Sequence, residues 1–166
     1  NETVAKYLKI NKLNSIFRNH EKPKEEKIKE LKKILKENEL YDNENFKDQQ
    51  DFNNILNKIR EKNNFINDAL LRTQAKAYYG NKNCGHFGLG LDYYTHFTSP
   101  IRRYSDLDVH RDIIDFFFEK KRNTREISLS EHLTSQEKKS DLIERSIIEK
   151  ACCLFIKNKK KKFFTG

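Results

Sequence analysis

The stretch Tyr94-Thr95-His96-Phe97-Thr98-Ser99-Pro100-Ile101-Arg102-Arg103-Tyr104 combines a helix-start signal with two adjacent arginines. Ser99 before Pro100 reads as an N-cap followed by the first helical residue. A serine oxygen can accept an orphan N–H there, and proline lacks the N–H that its position leaves unused. The predicted helix carries Ile101, Tyr104, Leu107, Ile114 and Phe117 on its apolar side. Arg102 and Arg103 then fall in the first turn, where the helix dipole disfavours cations. Guanidinium forks beside free backbone N–H groups make a phosphate-binding site. The competing reading pairs the arginines internally, Asp106 lying within one turn of both and Asp115 four residues after Arg111.

Upstream, Gly80-Asn81-Lys82-Asn83-Cys84-Gly85 reads as a turn. Phe87, Leu89 and Leu91 then alternate with His86, Gly88 and Gly90, which predicts a short strand over 86–91 with one nearly bare face. Such a face implies close approach of another element or of a ligand. Earlier still, Val4 and Leu8 predict a short helix, ending before the polar turn Asn19 to Pro23. Ile28, Leu31, Ile34 and Leu35 mark a second helix with Pro23 in its first turn. A polar loop is predicted over 41–50. Phe52, Ile55, Leu56 and Ile59 then mark a third helix, and Phe65, Ile66, Ala69 and Leu70 a fourth running towards Tyr78. Downstream, Thr134-Ser135-Gln136-Glu137 fits a capping box, with Ile143, Ile147, Ala151, Leu154 and Phe155 following as a core stripe. Glu144 sits beside that stripe and on this pattern is a solvated carboxylate.

The 166 residues carry a formal charge of +9, with 36% apolar and 36% charged residues. Length and composition fit one domain, and no apolar run is long enough for a membrane helix. Three cysteines, two of them the adjacent Cys152 and Cys153, form no disulfide framework and imply a reducing, cytoplasmic setting. No secretory signal opens the chain. The absence of any methionine leads us to expect an incomplete translation product. The positive charge suits an anionic partner, but it is spread thinly and Lys157 with Lys159 to Lys162 supplies much of it.

His86 through Leu91, the Tyr94–Tyr104 stretch, Asp106-Leu107 and Val109-His110-Arg111 together resemble the signature of the ribonuclease II / ribonuclease R family and its RNB catalytic domain. Asn1 to Ala5, Arg18 to Pro23 (an Arg-x-His-x-x-Pro segment), Leu71-Arg72-Thr73 with Ala77-Tyr78, and Ser135, Glu137 and Glu144-Arg145 agree in order. The resemblance implies an α+β, mostly α fold: several amphipathic helices and a short strand near 86–91. Residues 1–162 would form the C-terminal part of an RNB domain, with 163–166 the junction to a missing OB-type RNA-binding domain. It further implies a hydrolytic exoribonuclease that degrades RNA processively from its 3′ end to nucleoside 5′-monophosphates with Mg²⁺. The family's metal-binding aspartates belong to the N-terminal half of the domain. Asp106, Asp108, Asp112 and Asp115 do not match them, so no metal ligand is expected here and the chain alone is expected to be inactive. Carried over residue by residue, Arg102 matches the catalytic arginine. Glu144 matches a carboxylate contacting the terminal nucleotide, which displaces its reading as a merely solvated side chain. Arg103, His110 and Arg111 match motif positions that either touch RNA or brace the helix. Ser105 and Asp108 depart from the family pattern. The partners implied are RNA, the missing N-terminal half and the flanking OB-type domains. The alternative is a non-catalytic RNA-binding or scaffold remnant of the same family.

Overall fold

A computed structural model of the chain describes residues 1–39, 46, 48–59, 64–120 and 128–159. Its elements are α1 (Glu2–Ile10), β1 (Phe17–Asn19), α2 (Glu25–Glu37), α3 (Gln49–Ile59), α4 (Asn64–Thr73), β2 (Tyr78–Gly80), α5 (Tyr104–Phe117) and α6 (Ser128–Asn158). The α+β, mostly helical class therefore holds. Among the described residues no helix is long and apolar enough to cross a membrane. The expected 41–50 loop lies largely outside the described residues, as do Lys160 to Lys162 and the 163–166 junction.

Two apolar clusters organise the chain. Leu31 and Leu35 of α2, Phe46, Phe52 and Ile55 of α3, and Ile66 and Leu70 of α4 form a three-helix core. Their spacing of three and four residues puts one stripe of each helix inward. Phe52 is fully buried, with the rings of Phe46 and Phe87 edge-on to it at 5.2 and 5.7 Å. The second cluster joins Ala5 and Leu8 of α1, Phe17 of β1 and Val109 of α5, flanked by Tyr93 and Phe97. It sits under the segment that carries the adjacent arginines.

The sheet is elsewhere than predicted. β1 and β2 pair antiparallel, with Phe17 opposite Gly80, Arg18 opposite Tyr79 and Asn19 opposite Tyr78. Helix α4 stops at Thr73, short of Tyr78, and its last side chain turns back to donate to the Ala69 carbonyl at 2.9 Å. The strand predicted over 86–91 is instead a closed loop. His86 and Leu91 exchange backbone hydrogen bonds of 2.7 and 3.2 Å around a tight 3₁₀ turn, Phe87–Leu89. Gly90 leaves that turn at φ +65°, a left-handed conformation that glycine adopts without strain. The bare face does reflect a close approach, and the approaching group is protein: a Cβ on Gly88 would lie 3.1 Å from the His20 ring.

Two helix starts also differ. Residues 99–102 form a turn outside the helix, and α5 begins at Tyr104 with Arg103 as an extended N-cap. Its predicted apolar side is outward: Ile101 is fully exposed, and Tyr104, Ile114 and Phe117 are half exposed or more. The buried face is Ser105, Asp106, Asp108, Val109 and Asp112, mostly polar. Buried polar groups persist only when they are bonded, and Asp112 takes the Ser15 hydroxyl at 2.6 Å. Helix α6 starts at Ser128, so Thr134 is interior rather than an N-cap. Its hydroxyl donates to the Ser130 carbonyl and accepts the Tyr79 N–H, both at 2.9 Å. The expected capping box is therefore the place where α6 docks on β2. The stripe expected in the core is exposed, with Ile143 and Ile147 each at 60%.

Candidate functional site

The arginine pair sits on a turn braced from inside. The Ser99 carbonyl accepts the N–H groups of Arg102 and Arg103 at 3.3 and 3.1 Å. Asp106, wholly buried, closes the turn from the helix side. Its Oδ1 accepts the Ser99 N–H and an Arg103 guanidinium N–H, both at 2.8 Å, and its Oδ2 accepts the Ser105 hydroxyl at 3.2 Å. Burial pushes this carboxyl up. The hydrogen bonds from Arg103 and Ser99 outweigh that and hold it below the usual carboxylate range. Arg103 is thus committed to Asp106. Arg102, one residue earlier, is exposed and makes no ion pair or hydrogen bond with its side chain among the described residues. The internal pairing expected from the sequence is thus met at Arg103, while the backbone N–H groups of both arginines are taken by the Ser99 carbonyl rather than left free.

Behind the turn, aromatic and imidazole rings are layered. His110 lies flat on Phe97 with centroids 4.0 Å apart, and its Nε2 donates to the Phe97 carbonyl at 2.9 Å. Asn1 caps the same segment, accepting the Phe97 N–H at 3.0 Å. The Thr95 hydroxyl is buried and donates to the Ile16 carbonyl at 2.6 Å. His96 faces Tyr79, its Nδ1 3.0 Å from the phenol oxygen. Burial, then Arg103 and Arg18, push His96 down to about 4, so the ring is neutral near pH 7 and its Nδ1 accepts the phenol proton. The Tyr79 phenol itself is raised by burial and stays protonated. Arg18 lies over the Tyr79 ring at 4.6 Å and holds Glu137 of α6 through two bonds of 2.7 and 2.9 Å.

His20 packs against this layer with both nitrogens engaged. Nε2 donates to the Ala75 carbonyl at 2.6 Å and Nδ1 accepts the Gly88 N–H at 2.8 Å. Its ring stacks on His86 at 5.0 Å. Burial, then His20 and Arg18, push His86 down to about 4.

The other sequence-predicted residues divide. Arg111 is exposed, tied to Tyr104 by a 3.3 Å bond to its hydroxyl and by its place over the ring. Arg103 and His110 face inward as braces. Glu144 is exposed on α6, seven residues beyond Glu137 and so about 10 Å further along the helix axis. Among the described residues no group of three His, Cys, Asp or Glu side chains could hold a metal ion. Asp106 is occupied by Ser99, Arg103 and Ser105, and Asp112 by Ser15. These residues therefore do not fit the Mg²⁺ that the family resemblance implies. Periodicity and spacing missed the partnership of Arg18, Tyr79, His96 and Glu137. The Arg-x-His-x-x-Pro segment was its available trace, since it supplies both Arg18 and His20.

A family model described as RNB domain matches residues 1–119, and the chain belongs to that family. A ribonuclease R of Mycoplasmopsis pulmonis is 42% identical over 124 residues, covering 72% of this chain and 17% of that protein. A ribonuclease R of Buchnera aphidicola subsp. Schizaphis graminum is 33% identical over 178 residues, covering all of this chain and 24% of that protein. The chain thus spans a quarter or less of these relatives. Among solved structures, Mycoplasma genitalium RNase R in complex with double-stranded RNA superposes with a TM-score of 0.87 at 29% identity, covering 97% of this chain and 31% of that one. A yeast protein described as a pseudonuclease shares the fold, with a TM-score of 0.63 at 23% identity.

Proposed function

We propose that this chain supplies the phosphate-binding arginine and part of the RNA channel of a hydrolytic 3′→5′ exoribonuclease of the ribonuclease II / R type. The observation that carries the reading is the contrast between neighbours. Arg103 is neutralised by buried Asp106, and Arg102 is displayed, unpaired among the described residues, on the turn that Asp106 holds. A planar fork fixed at its base but open at its tip suits two non-bridging oxygens of one phosphate. In phosphodiester hydrolysis negative charge builds on those oxygens as water attacks phosphorus. A donor already in place lowers that barrier without having to reorganise. Exposed Arg111 adds positive potential two turns along α5, and Glu144 suits contact with the ribose hydroxyls of the terminal nucleotide.

The Mg²⁺ implied by the family has no ligand set among the described residues, so the contribution proposed for this chain is the arginine and the channel wall. Carboxylates from further RNB polypeptide would supply the metal site. That polypeptide also accounts for the exposed apolar residues of α6, which such a partner would cover. Three exposed thiols, Cys84, Cys152 and Cys153, favour a reducing, cytoplasmic setting.

The deciding experiment is Mg²⁺-dependent release of nucleoside 5′-monophosphates from a 3′-hydroxyl oligoribonucleotide by the complete polypeptide, with and without Arg102→Ala. Loss of turnover with RNA binding largely kept supports the assignment. A wild-type polypeptide that binds RNA and releases no nucleotide would favour the non-catalytic scaffold, a reading left open because the same fold occurs in a pseudonuclease.

A further inference from the structure

The Arg102 turn is linked to α6 by a series of side-chain contacts through β1 and β2 to His96, and from there by three residues of backbone to Ser99. Glu137 on α6 grips Arg18 of β1 through both carboxylate oxygens. Arg18 lies over Tyr79 of β2, whose own N–H is bound by Thr134, one turn before Glu137 on α6. The Tyr79 hydroxyl meets His96, three residues before Ser99 in the chain. Ser99 is held by Asp106, which accepts its N–H together with Arg103 and the Ser105 hydroxyl. Tyr79 and Asp106 are buried and Arg18 is only 12% exposed, so solvent cannot easily substitute for the links inward of Glu137.

We infer that Tyr79 and His96 are positioning residues: they transmit the seat of α6, fixed by Glu137 and Arg18, to the turn that presents Arg102. Their hydrogen bond leaves the overall fold to the two apolar clusters, in which neither side chain takes part. What it fixes is where residues 96 to 99 sit above β2. A phosphate-binding fork displaced by about 1 Å loses much of its effect on the barrier, so a small shift there lowers turnover before it lowers affinity. This inference rests on the exoribonuclease reading for its catalytic consequence, but not for the relay itself.

Two measurements test it. In this 166-residue chain, ¹⁵N NMR of Tyr79→Phe should show the amide resonances of Ser99, Arg102 and Arg103 displaced. The His96 ring should also titrate at higher pH, since the lost donor favoured its neutral form. The groups facing His96 are Tyr79 and Arg18 from the strands, Tyr94 and His86 from the loop, and Arg103 and Asp106 from the start of α5. All of them remain in the variant, apart from the deleted hydroxyl. In the complete polypeptide, Tyr79→Phe should lower kcat about tenfold with KM little changed, and its acid limb should move to higher pH. Glu137→Gln, at the half-exposed end of the same series, should give a smaller loss of the same kind, and it serves if Tyr79→Phe proves too unstable to assay. Unmoved Ser99–Arg103 resonances, or wild-type kcat in both variants while Arg102→Ala is impaired, would overturn the inference. Wild-type turnover in Arg102→Ala would instead overturn the exoribonuclease role of Arg102, and the NMR result would still decide the relay.

Discussion

Arg102 and Arg103 are adjacent and have the same side chain and charge, and they differ in one contact. Arg103 lies 2.8 Å from a fully buried carboxylate. Leaving Asp106 buried without that partner would strand a charge, which costs several kcal/mol. Arg103→Ala should therefore act on folding, lowering the unfolding midpoint in thermal melts. Arg102→Ala should leave stability within about 0.5 kcal/mol of wild type, as for an unpartnered surface residue, and lower turnover of the complete polypeptide roughly 100-fold or more. Arg102→Lys should rescue little, because an ammonium is a point charge and not a fork. Equal melting behaviour of the two alanine variants would remove the distinction between brace and ligand. The histidines make a second residue-scale prediction. His86 and His96 titrate near 4 in the fold against an ordinary 6.5, first because they are buried. The unfolded chain takes up protons on both as pH falls below 6.5, before the folded chain does. Stability from these groups is thus full above about pH 6.5 and lost progressively towards pH 4. Urea midpoints followed from pH 7.5 to 4.5 should fall, and should fall less steeply in His96→Gln.

At the scale of elements, legibility follows how local the deciding physics is. Helices α1 to α4 were readable because a stripe at three- and four-residue spacing needs only one apolar neighbour to bury it. The signature around Arg102 was readable as a family resemblance and the Asp106 brace from its spacing, but the other braces were not, because they join residues far apart in the chain: Arg18 with Glu137, Tyr79 with His96. The β1–β2 pair spans three residues per strand, too short for alternation to register. The pattern over 86–91 looked like a strand because Gly88 must be small. The cause is the His20 ring, a contact across the fold that mimics period two. Helix α5 was oriented wrongly for a physical reason. An outward apolar face with an inward row of Ser105, Asp106, Asp108 and Asp112 inverts the usual pattern, and partners such as Ser15, Ser99 and Arg103 make it tolerable. Glu144 belongs to this scale too, since α6 sets its position beyond the Glu137 anchor. In the complete polypeptide Glu144→Ala should weaken affinity for, or selection of, the RNA 3′ end, read as a change in KM and in product pattern. An effect confined to thermal stability would return it to a solvated helix face.

For the whole molecule, two small cores hold a good deal of surface that they do not bury. The three-helix core should be self-sufficient: Phe52→Ala removes a ring packed between two others and should cost about 3–5 kcal/mol in urea unfolding. The long helix is different. Among the described residues α6 meets the body through Thr134 and Glu137, and beyond that anchor Leu142, Ile143, Ile147, Ile148, Leu154 and Phe155 stay exposed. A contiguous apolar face of this kind on a free chain marks an interface. The relatives, four or more times longer than the matched segment, have ample polypeptide to cover it. If further RNB polypeptide is the cover, Ile143→Lys combined with Ile147→Lys should have different effects in two settings. In the 166-residue chain it should leave the unfolding midpoint nearly unchanged and reduce concentration-dependent self-association, measured by sedimentation velocity. In the complete polypeptide it should lower stability by several kcal/mol, since two buried isoleucines would become two buried, unpaired ammonium groups. A double variant neutral in both settings would mean that nothing covers this face. The proposal that further RNB polypeptide covers the apolar residues of α6 would then fail.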